Sequence, residues 1–416
     1  MKILIWTQYF WPENFHINAV AYSLKAQGVE VTVLTGKPNY PEGKIFDGYK
    51  ATGIHSEEYR GIEVIRIPLR QRGKNSGKEL ALNYLSFIVS GYLFAPYALR
   101  GRNFDVIFVY APSPLLQALP AIYMSWIKHA KLIVWVQDIW PDVLIATGFI
   151  KSPLILGIVE LSVRYIYRLS DSILIQSEGF RASVERRVSK KKRIIFFPNT
   201  AEDTPPKLTK STKITQLVEE ISTYFSVVFS GNIGVAQSCE TIVGAADLLK
   251  SFPGIKFYLV GNGSRSSFVS QCIVDCGLRN VTMTGSVAAD DVDLLTEAAS
   301  VLLLTLKDRP SLSATIPSKL QKYLSSGKPI IASCKGEAAS IVIKANAGLT
   351  CAPDDASSLA DAVLKLFQMK PEDRSRLGKN GRDYFETHYR LQSRVVELVT
   401  HFEGVIAQDR SSQRVA

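Results

Sequence analysis

Cysteine, histidine and methionine are all scarce, with five, five and four residues in a chain of 416. The cysteines (Cys239, Cys272, Cys276, Cys334, Cys351) are odd in number and confined to the second half. That excludes a secreted disulfide framework and paired zinc knuckles, and suits a reducing compartment. Cys272 and Cys276 stand one helical turn apart, but no His or second Cys pair follows nearby, so they read as buried free thiols. The opening MKILIWTQYF has one basic residue and no small-residue cleavage site before Trp11 and Pro12. It reads as a first buried strand and not as a signal peptide. Internal repeats and low-complexity tracts are missing as well, which excludes solenoids and disordered or collagen-like chains. What remains is an ordinary globular mix, 46% hydrophobic and 21% charged, long enough for two domains of about 200 residues each.

Acidic residues are short in one half only. Residues 1–200 carry 25 Lys and Arg against 15 Asp and Glu, whereas 201–416 carry 24 against 23, so nearly all of the +11 charge belongs to the first half. A one-sided basic surface attracts phosphate, whether on nucleic acid, anionic lipid or a phosphorylated substrate. The twenty residues Leu80–Leu99 carry no charge and are bracketed by Arg70, Arg72, Lys74 and Lys78 before and Arg100 and Arg102 after. The length fits a bilayer span, yet Asn83, Ser86, Ser90 and Pro96 dilute it, and Tyr84, Tyr92 and Tyr97 favour an interface. A helix lying in a membrane surface and a crossover helix buried against a sheet are the two readings placed ahead of a span. The run Lys190–Arg193 lacks interleaved aromatics and precedes an apolar strand, so it reads as a solvated or membrane-facing turn, not a nucleic-acid site.

Short apolar runs alternate with segments of three-to-four periodicity. The first series is Lys2–Thr7, Val29–Thr35, Val64–Ile67, Val106–Tyr110, Leu132–Val136, Ser172–Ile175 and Ile194–Phe197; the second is Val227–Phe229, Lys256–Val260, Val281–Thr284, Val301–Leu304 and Pro329–Ala332. Such alternation predicts an α/β fold with two doubly wound, Rossmann-like parallel-sheet domains. Residues 201–224, rich in Thr, Lys and Pro around Pro205-Pro206, read as a linker. The expected domains are therefore 1–200 and 225–388, followed by a C-terminal helix and tail over 389–416 that returns towards the first domain.

Ligands in such sheets sit at the carboxyl ends of the strands. The loop Gln8–His16 after the first strand has no glycine, which excludes a dinucleotide fingerprint there. Glu13 and His16 in it read equally as substrate-facing groups or as a helix cap and an exposed histidine. In the second half, Ser230-Gly231-Asn232-Ile233-Gly234 and Gly261-Asn262-Gly263-Ser264-Arg265 both join a strand to a helix. Small residues there let amide groups and a positive helix end meet phosphate oxygens. After the loop Lys307–Ser318 a helix begins at Pro317-Ser318-Lys319. A lysine in a first turn opposes the helix dipole unless an anion is its partner, so Lys319 is the first candidate for a diphosphate. Glu337 either holds hydroxyls of a sugar or caps the next helix. Asp291-Val-Asp293 matches a metal-binding DxD, but it opens an acidic helical turn, and no metal is expected.

The ordered segments QYFWPE, VEVTVLTGKPNYPEG, QDIWPDV, FPNT, SGNIG, VGNGS, TIPSKLQKYLSSGKPII and GEAAS…AGL…PDD closely resemble family 4 retaining glycosyltransferases over residues 1 to about 390. Within that family they are similar to the bacterial subgroup that adds N-acetylfucosamine in O-antigen or capsule assembly. The resemblance implies a GT-B fold with two Rossmann-like domains facing a cleft, acceptor on 1–200 and nucleotide-sugar on 225–388. It further implies a UDP-sugar donor (UDP-N-acetyl-L-fucosamine), a polyprenyl-diphosphate-linked saccharide acceptor, a cytoplasmic location on the inner face of the membrane, and no cofactor, metal or nucleic-acid partner. Donor contacts would come from Gly231, Asn232, Gly261, Asn262, Gly263, Arg265, Ser318, Lys319 and Glu337, with Asp138, Glu13 and His16 at the reacting sugar. The family's Glu-x7-Glu is replaced by Ala314 and Lys322, its basic pair by Asn232 and Gln237-Ser238, and its histidine by Gln137, which leaves Asp138 as the polar side chain there. Arg265, Lys319 and Arg309 then have to meet the phosphate charge. A UDP-sugar epimerase of the same fold is the enzyme alternative, for which only His16 offers itself; a non-catalytic binder of membrane surfaces or nucleic acid is the other.

Overall fold

A computed structural model describes residues 1–73, 77–148, 150, 152–189, 192–203 and 211–415; Lys74, Lys190, Lys191 and Pro205-Pro206 lie outside the described residues. The chain divides into two compact units, Met1–Pro198 with Leu391–Ala416, and Asn199–Arg390.

In the first unit, an eight-stranded sheet is built of buried apolar strands at its centre and more exposed strands at its edges: β1 (Lys2–Trp6), β2 (Glu30–Thr35), β3 (His55–Tyr59), β4 (Ile62–Arg66), β5 (Val106–Ala111), β6 (Lys131–Val136), β7 (Ser172–Ile175) and β8 (Arg193–Phe196). Their spatial order is β3-β4-β2-β1-β5-β6-β7-β8. Every pairing is parallel except β3 with β4. The edge strand β3, HSEEY, was not expected, because it has no apolar run; a polar edge strand presents charge where another chain could pair. The Leu391–Val415 helix completes this unit's core, with Val395, Leu398, Phe402 and Val405 buried and the Phe402 ring 5.2 Å from that of Phe108.

The uncharged stretch forms the Gly77–Ala98 helix, and neither sequence reading describes it fully. Asn83, Phe87, Ser90, Gly91 and Ala95 face inward, whereas Leu93 is 66% and Tyr97 73% exposed. Asn83 Oδ1 accepts a 2.7 Å hydrogen bond from Gln8 Nε2, and a Cβ at Gly91 would lie 2.7 Å from Pro120. This is a surface helix with one face locked to the sheet.

The second unit holds six parallel strands, β9 (Phe225–Ser230), β10 (Ile255–Val260), β11 (Val281–Gly285), β12 (Val301–Thr305), β13 (Ile330–Ser333) and β14 (Gly348–Cys351), in the order β11-β10-β9-β12-β13-β14. The expected linker is corrected in part: Thr212–Thr223 is a helix whose Ile214 and Ile221 are buried, capped by Ser211 accepting from the Ile214 amide. Its Thr and Lys residues occupy the outer face, which is why composition alone resembles a linker. Strand order reverses between β1 and β5 in one sheet and between β9 and β12 in the other, and each reversal opens a crevice at the carboxyl ends.

Candidate functional site

At the β9/β12 reversal, β9 ends in Ser230 and turns at Gly231, while the chain after β12 crosses to the Ser318–Ser325 helix. Lys319 and Tyr323 sit four residues apart on one face of that helix. The Tyr323 hydroxyl accepts a 2.9 Å hydrogen bond from the Ser230 amide, which ties the helix to the strand end. One turn earlier, Lys319 Nζ lies 3.9 Å over the Phe229 ring and 3.0 Å from where a Gly231 Cβ would stand. Only a residue without a side chain leaves this space. The ammonium group is buried with no hydrogen-bond partner among the described residues, and burial lowers its pKa from 10.5 to about 8. A desolvated cation without a counter-charge is a strong anion binder. No side chain caps the helix start at Pro317, so the first-turn amides of Ser318 and Lys319 add to the positive end. Tyr323 escaped the sequence reading, although the Lys-x3-Tyr spacing signals a shared face. Gln321, whose buried amide nitrogen and oxygen lack partners among the described residues, escaped it too, and nothing in sequence marks it.

The second glycine turn braces the first. A Cβ at Gly261 would overlap the Gly231 carbonyl, and one at Gly263 would overlap that of Ile233, so the two turns pack backbone to backbone. Two amides link them: Ile233 N–H donates to Asn262 O at 2.9 Å and Arg265 N–H to Ile233 O at 3.0 Å. The Gly263 N–H donates to Asn262 Oδ1 and Ser266 Oγ, at 2.8 and 2.9 Å. The Arg265 side chain is likewise taken, paired with Glu240 and stacked over Phe268. Asn232, beside Lys319's glycine, is exposed.

Glu337 opens the Glu337–Lys344 helix and is half-buried. Gly336 before it holds φ +81°, and a Cβ there would overlap Ser313 O. Asp293 of the DxD triplet accepts a 3.0 Å bond from Lys322 Nζ, and among the described residues no three His, Cys, Asp or Glu side chains are grouped to hold a metal. That same ion pair turns Lys322, at the second Glu-x7-Glu position, towards a neighbouring helix.

In the first unit the site candidates separate. Asp138 follows β6 and accepts a 2.9 Å bond from Ser113 Oγ, itself bonded by Trp140 Nε1 at 3.1 Å. Burial raises the Asp138 pKa to about 6 despite that bond, so this carboxyl can exchange a proton near neutrality. Glu13 is a staple instead: its carboxylate accepts from the amides of Asn39 and Tyr40, both at 2.8 Å, and of Phe10 at 3.3 Å. Desolvation outweighs these bonds and raises its pKa to about 7. His16 begins its helix half-buried, edge-on to Trp135 at 5.6 Å, and burial lowers its pKa to about 4. It is neither exposed nor charged at neutral pH, which corrects the exposed-histidine reading. Glu13 is therefore committed to backbone amides and His16 to the Trp135 ring.

Residues 14–200 match the glycosyl transferase 4-like domain and residues 210–384 match the glycosyl transferases group 1 family. The chain is 25% identical over 345 residues to WcaI of Escherichia coli K12, described as a candidate colanic acid biosynthesis glycosyl transferase; the match covers 79% of this chain and 82% of that one. Sucrose-phosphate synthase from Thermosynechococcus elongatus superposes with a TM-score of 0.72 at 17% identity, covering 98% of this chain and 99% of the other. Anabaena HepE, solved with UDP, gives 0.69 at 14% identity, covering 97% and 100%. Two Rossmann-like units, a strand-order reversal in each sheet and paired family matches make this chain a glycosyltransferase of the group 1 type with the GT-B fold.

Proposed function

We propose that the protein transfers a sugar, N-acetyl-L-fucosamine, from its UDP donor to a polyprenyl-diphosphate-linked saccharide in O-antigen or capsule assembly, with retention at the anomeric carbon. The observation that carries the donor part is the buried, unpartnered Lys319 ammonium facing Gly231 at an uncapped helix start. The HepE structure with UDP and the polysaccharide context of WcaI support the reading. Lys319 and the Ser318 helix end stabilise the leaving diphosphate, the main contribution of the protein to such a reaction. The leaving oxygen takes the proton of the incoming hydroxyl, and Asp138 orients that hydroxyl. No metal or cofactor takes part in this reading. It places the enzyme in the cytoplasm, on the inner face of the membrane, with no nucleic-acid partner. The epimerase alternative needs a titrating histidine, and His16 is neutral and packed on Trp135.

Release of UDP from UDP-N-acetyl-L-fucosamine, strictly dependent on the lipid-linked acceptor, is the expected result of a coupled assay. Donor turnover without acceptor would replace the reading with epimerisation, and no turnover with any aminosugar donor would remove it.

The donor site also carries a pH signature. UDP binds the protonated form of Lys319, whose pKa in the free protein is about 8. Affinity is therefore flat below that pH and weakens by about tenfold per unit above it. Calorimetric titration between pH 7 and 10 checks this; a flat profile would assign the diphosphate to another cation.

A further inference from the structure

We propose that the first unit docks on an anionic lipid bilayer through a composite face built by three helices, Gly77–Ala98, Ala118–Lys128 and Pro153–Leu169. The helices are neighbours: Gly91 of the first rests against Pro120 of the second, the Tyr92 and Tyr123 rings are 5.8 Å apart, and Tyr165 of the third stands close to Tyr92. Large apolar side chains collect on their outer surface. Leu93 is 66% exposed, Trp126 55%, Leu154 74% and Leu161 69%, and Leu85, Tyr97, Ile127 and Ile158 extend the same exposure. A soluble monomer seldom leaves a contiguous patch of this kind in water.

Chemistry selects the occupant. Tyrosine and tryptophan among the aliphatic side chains of the patch are amphipathic groups suited to headgroup depth. Arg70, Lys78, Arg100 and Arg168 are exposed on or beside these helices. Of the two acids there, Glu160 is already paired with Arg164 and Arg187, each at 2.8 Å, which leaves Glu79 as the other. A second copy of the chain meeting this face across a two-fold axis would set like charges against each other, whereas phosphatidylglycerol headgroups neutralise them. The Gly77–Ala98 helix is long and apolar enough to cross a membrane. Its inward Asn83 and Phe87 are fully buried in the unit, so it lies along the bilayer surface and does not span it.

The proposal extends the lipid-linked acceptor reading, and its test uses vesicles that contain no acceptor, so the two fail separately. The full chain is floated with vesicles rich in phosphatidylglycerol and with vesicles of phosphatidylcholine alone, beside the triple variant Leu93→Glu/Leu154→Glu/Leu161→Glu. The wild type is expected to float with the anionic vesicles. The triple variant is expected to lose binding by about tenfold or more while keeping the wild-type circular dichroism spectrum and cooperative thermal unfolding, which shows that it is folded. Wild-type protein that stays soluble with both vesicles overturns the proposal, as does a triple variant that binds like the wild type. A wild-type dimer in light scattering that the triple variant dissolves, without vesicle binding, assigns the face to a second copy and overturns it too.

Discussion

Lys319→Met is expected to reduce kcat/KM for the UDP-sugar by about 10²–10³-fold, the cost of removing one preorganised charge stabiliser from a leaving group, about 3–4 kcal/mol. The same change should make the unliganded protein more stable, and this opposite sign separates a binding residue from a structural one. Lys319 Nζ has no hydrogen-bond partner among the described residues, so its burial is a cost to folding that the neutral, similar-sized methionine removes. A folded pKa of about 8 against 10.5 places that cost in full below pH 8, and it fades as pH rises towards 10.5. The stability advantage of Lys319→Met should therefore shrink across that window. Urea unfolding of both proteins at pH 7 and pH 10 measures it. A variant that is less stable at pH 7 would show that Lys319 holds the fold together. Lys319→Arg should not restore activity, because a planar guanidinium does not fit the space beneath Gly231 that a compact ammonium occupies.

Gly261→Ala should destabilise the fold of the second unit by about 3–5 kcal/mol. Two effects add at this position. The residue holds φ +134°, where L-residues are strained, and a Cβ would overlap the carbonyl of Gly231, which is backbone and cannot rotate away. Gly231→Ala is the informative control. It also stands at a positive φ, +130°, but its Cβ would meet the flexible end of Lys319 at 3.0 Å. That variant should retain more stability and lose UDP affinity, because the ammonium is displaced. Chemical unfolding with and without UDP distinguishes the two; equal stability losses would mean that the turns do not brace each other as described.

The sheet strands and the place of Lys319 were legible because their signals are local. An apolar run between turns marks a buried strand, and a lysine in a helical first turn is out of place without an anion. What was not legible depended on partners distant in the chain. Arg265 reads as a phosphate ligand until Glu240, twenty-five residues away, is found against it. Glu13 reads as a site acid until the amides of Asn39 and Tyr40 are seen on its oxygens. Two glycine turns in successive strand-to-helix connections look alike in sequence, and only their backbone contact shows that one supports the other. The edge strand β3 and the Thr212–Thr223 helix were missed for a simpler reason: both carry mostly polar side chains, and their few apolar contacts leave no run to detect.

The Leu391–Val415 helix, part of the first core although it follows all of the second unit in sequence, fixes an order of events during synthesis. Chain emerging from a ribosome has everything needed to complete β9 to β14 before the last core helix of the earlier unit exists. The later unit can thus mature first, while the seats of Leu398 and Phe402 on the earlier sheet stay open to water or to a chaperone. Protein interrupted after Arg390 would carry a finished second unit fused to an unclosed first one.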